Sequence, residues 1–129
     1  MTRQRFEQHR AQFERALARL HEALEESETD IVRDAVIQRF EFTFEMAWLS
    51  LFDFLASKGE RVAKQAWAVL PLAFQALLVD DAQVWDKVRA YRNLTSHTYD
   101  EAKAIEVAAF VRTTAVGAFD ALRDKLRTL

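Results

Sequence analysis

The sequence predicts an all-α protein: an antiparallel up-and-down bundle of four main helices plus one short or broken helix, in a single domain over residues 1–129. Three observations carry that prediction. Only two glycines and one proline occur in the chain, too few to punctuate many short strands. Half of the residues are hydrophobic, enough to fill the one core usual for chains of about 100–150 residues. Apolar residues also recur at steps of three, four and seven over long stretches, which is the spacing of a helix face.

The elements follow in order. Residues 3–26 place Phe6, Phe13, Leu17, Leu20 and Leu24 on one stripe, and Ser27 to Asp30 supply turn and N-cap chemistry. Ile31 to Lys58 contains neither Gly nor Pro and stops at Gly59, a residue suited to end a helix. Within it, Phe40, Phe42, Phe44, Met46 and Trp48 alternate as in a strand, but the run is too long for one strand and lacks a turn. Read as a helix, it carries Val36, Ile37, Phe40, Phe44, Ala47, Leu51 and Leu55 on one side and Ile31, Ala35, Phe42, Met46 and Leu49 nearly opposite. Either its own bundle covers both sides, which is the simpler reading, or the second stripe joins a partner subunit. Residues 64–78 read as an apolar helix that Pro71 should kink or restart. Asp80 reads as an N-cap with Gln83 at N3, and Val79 can staple onto Val84. A last helix runs through Leu126, capped by Thr98 with Glu101 or by Asp100 alone.

The formal charge is −2, from 18 basic and 20 acidic residues, so no global field draws the protein to nucleic acid. Local basic clusters are Lys58, Arg61 and Lys64, and Lys87, Arg89 and Arg92, each small enough to be a solvated face. The chain has no cysteine, which excludes disulfides and thiolate metal sites and fits a reducing compartment. It has no phosphate-binding glycine loop, no HExxH and no Glu-x-x-His, so we expect neither metal nor cofactor. His9 and His21 read as surface or core-edge histidines. Glu41 and Glu45 read as a solvated or ion-paired edge, and the three tryptophans as core or interface anchors. The N-terminus lacks an apolar run and no window approaches the roughly 18 apolar residues of a membrane span. The expectation is a cytoplasmic protein without a membrane partner.

Against this background Tyr91-Arg92-Asn93-Leu94-Thr95-Ser96-His97-Thr98-Tyr99-Asp100-Glu101 stands out, since Leu94 is its only aliphatic side chain. One reading is purely structural: a cation suits a helix C-terminus, and Thr-x-x-Glu caps the next helix. The other is chemical. Histidine moves protons near neutral pH, arginine holds a phosphate through two hydrogen bonds, and Asn93 and Ser96 can orient either. Arg92 and His97 are five residues apart, about 140° around a regular helix, so one straight helix cannot aim both at one phosphate. Either the chain bends near His97 or a second subunit completes the site.

Arg92-Asn93-Leu94-Thr95-Ser96-His97-Thr98-Tyr99 matches the Arg-x4-His-x-Tyr form of the motif of HEPN domains. With the preceding Asp80, Asp81 and Trp85, the chain resembles the nucleotidyltransferase substrate-binding protein branch of that superfamily over nearly its whole length. The resemblance implies a dimerising four-helix bundle encoded beside a minimal nucleotidyltransferase. On one view of that family the bundle is a toxin, a metal-independent endoribonuclease acting on RNA and neutralised by the transferase as antitoxin. Arg92 and His97 then carry over as catalytic, Asn93 and Ser96 as supporting, and Tyr99 as the acceptor of AMP. On the other view the bundle is a catalytically silent substrate-binding subunit of a two-component transferase. Pro71 departs from the family pattern, and no transferase signature is present, so transfer chemistry cannot reside in this chain.

Overall fold

Helix ends in this protein are written by a few side chains, and they fix the order of its elements. The structure, a computed structural model, describes residues 2–129. Helix α1 spans Thr2–Glu25, and α2 spans Asp30–Ser57. Between them Thr29 accepts a hydrogen bond from the Val32 amide at 3.1 Å, capping α2. At the other end Lys58 is the C-cap and Gly59 adopts φ 87°, while the Gly59 and Glu60 amides donate to the Ala56 and Leu55 carbonyls. This paired closure is a Schellman motif, and the left-handed residue in it is the predicted glycine.

Helix α3 is short, Ala66–Gln75, and contains Pro71. It starts two residues later than the apolar run suggested, and it ends three residues earlier because a second Schellman closure forms after it. Leu77 and Leu78 donate to Phe74 and Ala73, with Leu77 at φ 62°. A branched side chain in that region carries about 1–2 kcal/mol of strain. Helix α4 covers Ala82–Leu94, and its cap is Asp81, not Asp80 as expected. Asp81 accepts from the Gln83 and Val84 amides at 3.0 and 3.1 Å.

A 3₁₀ turn, Thr95–His97, follows α4 without a break. Helix α5, Glu101–Phe110, is capped by Asp100 alone, which accepts from Ala102 and Lys103; the Thr98 hydroxyl instead donates to the Thr95 carbonyl. A π-helical turn, Val111–Ala115, joins α5 to α6, Val116–Leu126, so the last long helix is continuous but carries one wide turn. The bundle therefore has the predicted four main helices, α1, α2, α4 and the α5–α6 rod, with α3 as the short one. Helices α1 and α2 pack along each other, and a link this short forces them antiparallel.

The core is an aromatic junction. Phe119 of α6 meets Phe13 of α1 at 6.2 Å, Phe40 of α2 at 6.0 Å and Trp85 of α4 at 5.7 Å between ring centroids. The first apolar stripe of α2 is buried throughout. The second is covered only in part: Ala35, Met46 and Leu49 are half-buried and pack against the core, whereas Ile31 is 82% and Phe42 55% exposed. Trp48 and Trp85 are core residues, but Trp67 lies on the surface. No described helix is long and apolar enough to cross a membrane.

Because Phe119 is fully buried against three other helices, Phe119→Ala should cost about 3–5 kcal/mol of unfolding free energy. Urea denaturation followed by circular dichroism checks this; a loss under about 1 kcal/mol would mean that the junction does not hold the helices together.

Candidate functional site

The polar stretch is built on the last turn of α4 and the 3₁₀ turn after it. Tyr91 anchors it, stacking on Phe110 of α5 with ring centroids 4.0 Å apart and planes within 3°, while its hydroxyl donates to Glu106 at 3.1 Å. One residue on, Arg92 turns toward α2 and pairs with Glu41, Nη1 to Oε2, at 3.1 Å. Thr95 Oγ1 lies between them, 2.9 Å from Arg92 Nη1 and 2.9 Å from Glu41 Oε2, and 2.6 Å from the Arg92 carbonyl. The hydroxyl accepts from the guanidinium and gives its one proton to one of the two oxygens. Arg92 Nε is buried and meets no acceptor among the described residues.

His97 and Tyr99 lie beyond the bend and face outward. Tyr99 is 85% exposed. Its hydroxyl lies 3.4 Å from His97 Nδ1, and the two rings meet edge-on with centroids 6.0 Å apart. The separation is long for a hydrogen bond. Asn93 is exposed, and Ser96 donates to its backbone carbonyl at 3.0 Å. The fold thus joins His97 to Tyr99 and Arg92 to Thr95 and Glu41. It makes no hydrogen bond or ion pair between Arg92 and His97 among the described residues.

Two clefts flank the Arg92–Glu41 pair. One, of about 290 Å³, is lined by Arg92 and Asn93 with Glu45, Gln65, Trp67 and Arg89. The other, of about 510 Å³, is lined by Ile31, Asp34, Ala35, Gln38, Glu41 and Thr98. The pair is the partition between them. Its side chains are 34% and 31% exposed, so solvent screening limits the bridge to about 1 kcal/mol or less, and an incoming phosphate can compete for the arginine.

In the sequence Glu41 reads only as part of a solvated or ion-paired edge with no link to Arg92, and Thr95 has no role. Their meeting joins residues 54 positions apart, and no local spacing announces that. His9 and His21 are occupied by carboxylates, Asp53 and Asp120, with the second pair at 2.7 Å. Among the described residues, no group of three metal-ligating side chains could hold an ion. Lys58 and Lys64 lie over Phe54 and Phe52, as members of a solvated face.

Comparison with known proteins comes from two directions. The family model described as nucleotidyltransferase substrate binding protein like matches residues 8–128. A protein of Thermus thermophilus of known crystal structure is 32% identical, with a TM-score of 0.75, over 90% of this chain and 96% of that one. No curated protein matches the chain.

The Tyr91 phenol is held above its ordinary value, first by desolvation on Phe110 and then by its bond to the Glu106 carboxylate. A raised acid stabilises the fold while it stays protonated, so the contribution is present below about pH 10 and is lost as pH rises through the folded value. Tyr91→Phe should flatten the alkaline limb of stability against pH. Urea midpoints between neutral pH and about pH 11 check it, and an unchanged limb would remove Tyr91 as the titrating anchor.

Proposed function

The chain belongs to the nucleotidyltransferase substrate binding protein-like family, and from that premise we propose that it is the HEPN-type toxin of a two-gene module whose antitoxin is a separate minimal nucleotidyltransferase. In this reading it is a metal-independent endoribonuclease acting on RNA. The observation that carries the reading is the outward, exposed placement of His97 and Tyr99 on the turn that follows Arg92, whose guanidinium is held by a partly exposed ion pair and the Thr95 hydroxyl. His97 takes the proton from a ribose 2′-hydroxyl and the 2′ oxygen attacks the adjacent phosphorus. The P–O5′ bond breaks, leaving a 2′,3′-cyclic phosphate, and the proton passes to the departing 5′ oxygen. Arg92 stabilises the charge developing on the phosphoryl oxygens, and Asn93 and Ser96 support the two groups.

Since Arg92 and His97 share no hydrogen bond or ion pair among the described residues, a homodimer would complete the site. The N-terminal half of α2, with Ile31 and Ala35 beside Thr98 in the larger cleft, offers the apolar face for it. Tyr99 is the AMP acceptor: its phenol oxygen attacks the α-phosphorus of ATP, pyrophosphate leaves, and the phenol proton goes to solvent. The attached phosphate would then compete for the arginine that RNA needs.

A second reading rests on Arg92 being engaged by Glu41 and on the family's description: a catalytically silent subunit that presents substrate to the transferase.

His97→Ala and Arg92→Ala should each lower RNA cleavage in EDTA by at least about 100-fold. Stability should change by only about 0.3–1 kcal/mol, since both residues sit at a helix end. A His97→Ala protein that cleaves as the parent does would hand the function to the silent-subunit reading. For Tyr99, incubation with the cognate transferase, ATP and magnesium should put AMP on that residue by mass spectrometry. Failure of Tyr99→Phe to escape neutralisation would refute its role.

A further inference from the structure

A third cleft, of about 240 Å³, lies between α1 and α2 and shares no lining residue with the two clefts at the Arg92–Glu41 pair. Gln12, Arg15, Ala16, Arg19, Arg39 and Phe42 line it. Three arginine side chains therefore line one opening in a protein of net negative charge. No described carboxylate forms an ion pair with Arg15 or Arg19. Arg39 donates to the Arg19 carbonyl at 2.7 Å and stands 4.0 Å from Glu22, a loose contact with an exposed side chain. Phe42 completes the wall with a ring that is 55% exposed. Clustered cations repel one another and an uncovered ring gains nothing from water, so neither feature stabilises the fold on its own.

One ligand satisfies both. Arginine binds phosphate through two parallel hydrogen bonds, and an exposed aromatic ring stacks on an unpaired base, a contact open to any base sequence. An acidic protein surface would answer the charges but leave the ring unused, and a duplex would hide its base faces. We propose that the Arg15–Arg19–Arg39–Phe42 cleft is a subsite for single-stranded RNA, holding phosphates on the arginines and a base on Phe42. The choice of RNA rests on the ribonuclease reading above. The placement suits that role. Arg39 and Glu41 point about 160° apart around α2, with Phe42 between them on the outer side. A strand seated in the cleft reaches Arg92 by crossing α2, roughly 10–12 Å. The subsite would hold the strand to one side of the cleaved bond.

The test is binding of a fluorescein-labelled, mixed-sequence single-stranded RNA of about twelve nucleotides, by anisotropy, to the full-length His97→Ala protein, which keeps the RNA intact. Adding Arg15→Glu and Arg19→Glu should weaken binding at least about tenfold and flatten the dependence of log affinity on log salt by roughly 1.4, about 0.7 for each phosphate no longer neutralised. Phe42→Ala should weaken it about five- to tenfold with the salt slope unchanged. A control with Arg61→Glu and Lys125→Glu makes the same change in net charge on other elements and should leave binding within about twofold. Arg15→Gln with Arg19→Gln, which adds no new charge, should reproduce most of the loss.

Absence of RNA binding by the His97→Ala protein overturns the proposal, as does equal loss in the control. So does loss of the transferase partner by the Arg15/Arg19 variant with RNA binding unmoved, which would assign the cleft to a protein contact. Binding lost only together with the dimer, by sedimentation, also counts against it. Binding that depends on these arginines in a parent protein that does not cleave would leave this subsite standing and remove the ribonuclease reading.

Discussion

The packing of Phe119 against Phe13, Phe40 and Trp85 is the contact on which the rest of the molecule depends. It brings α6, α1, α2 and α4 to one point, and the rings bury a large apolar surface together. With Trp85 held there, the axis of α4 is set. Arg92 lies two turns further along that axis, so its reach to Glu41 on α2 follows from a contact made in the core. The chain after α4 is held by a second, smaller aromatic contact, Tyr91 on Phe110. Between these two anchors and α5 the polar stretch is the part of the chain free to carry chemistry.

That stretch is electrostatically arranged in two layers. The inner layer is Arg92, Thr95 and Glu41, a small network with the Arg92 Nε left over. The outer layer is His97 and Tyr99, on the turn where solvent and other molecules reach them. An ion pair that is a third exposed holds the guanidinium in one orientation yet gives way to a better anion. The same pairing thus supports a positioned catalytic arginine and, if it never yields, a silent one.

Helix α2 is the organising surface as well as the central helix of the core. Its buried stripe faces the aromatic junction, while its outer face carries Ile31 and Ala35 toward Thr98 and Phe42 toward the arginines of α1. On that outer face Ala35, Met46 and Leu49 are partly covered by the bundle, while Ile31 and Phe42 stay exposed. Helix α3 and the closure after it add a further exposed group, Trp67, Phe74 and Leu77, and the strained backbone lies at Leu77.

Much of the fold was legible in local pattern. Helix number and order, the Gly59 stop and the buried stripes of α1 and α2 all follow from spacing and cap chemistry, which act within a few residues. Errors arose where two neighbours offered the same chemistry, as with Asp80 and Asp81, or where a closure formed at a residue that does not favour it, as at Leu77. The site was legible as a list of groups: arginine, histidine and tyrosine in one polar stretch. What the tertiary structure decided is how those groups divide. Glu41 reaches Arg92 across 51 positions of sequence, Ile31 and Phe42 of α2 stay exposed, and Arg15, Arg19 and Arg39 come to line one cleft because α1 and α2 are antiparallel neighbours. Such meetings depend on the relative placement of whole helices, which core packing sets and which no periodicity along a single helix encodes.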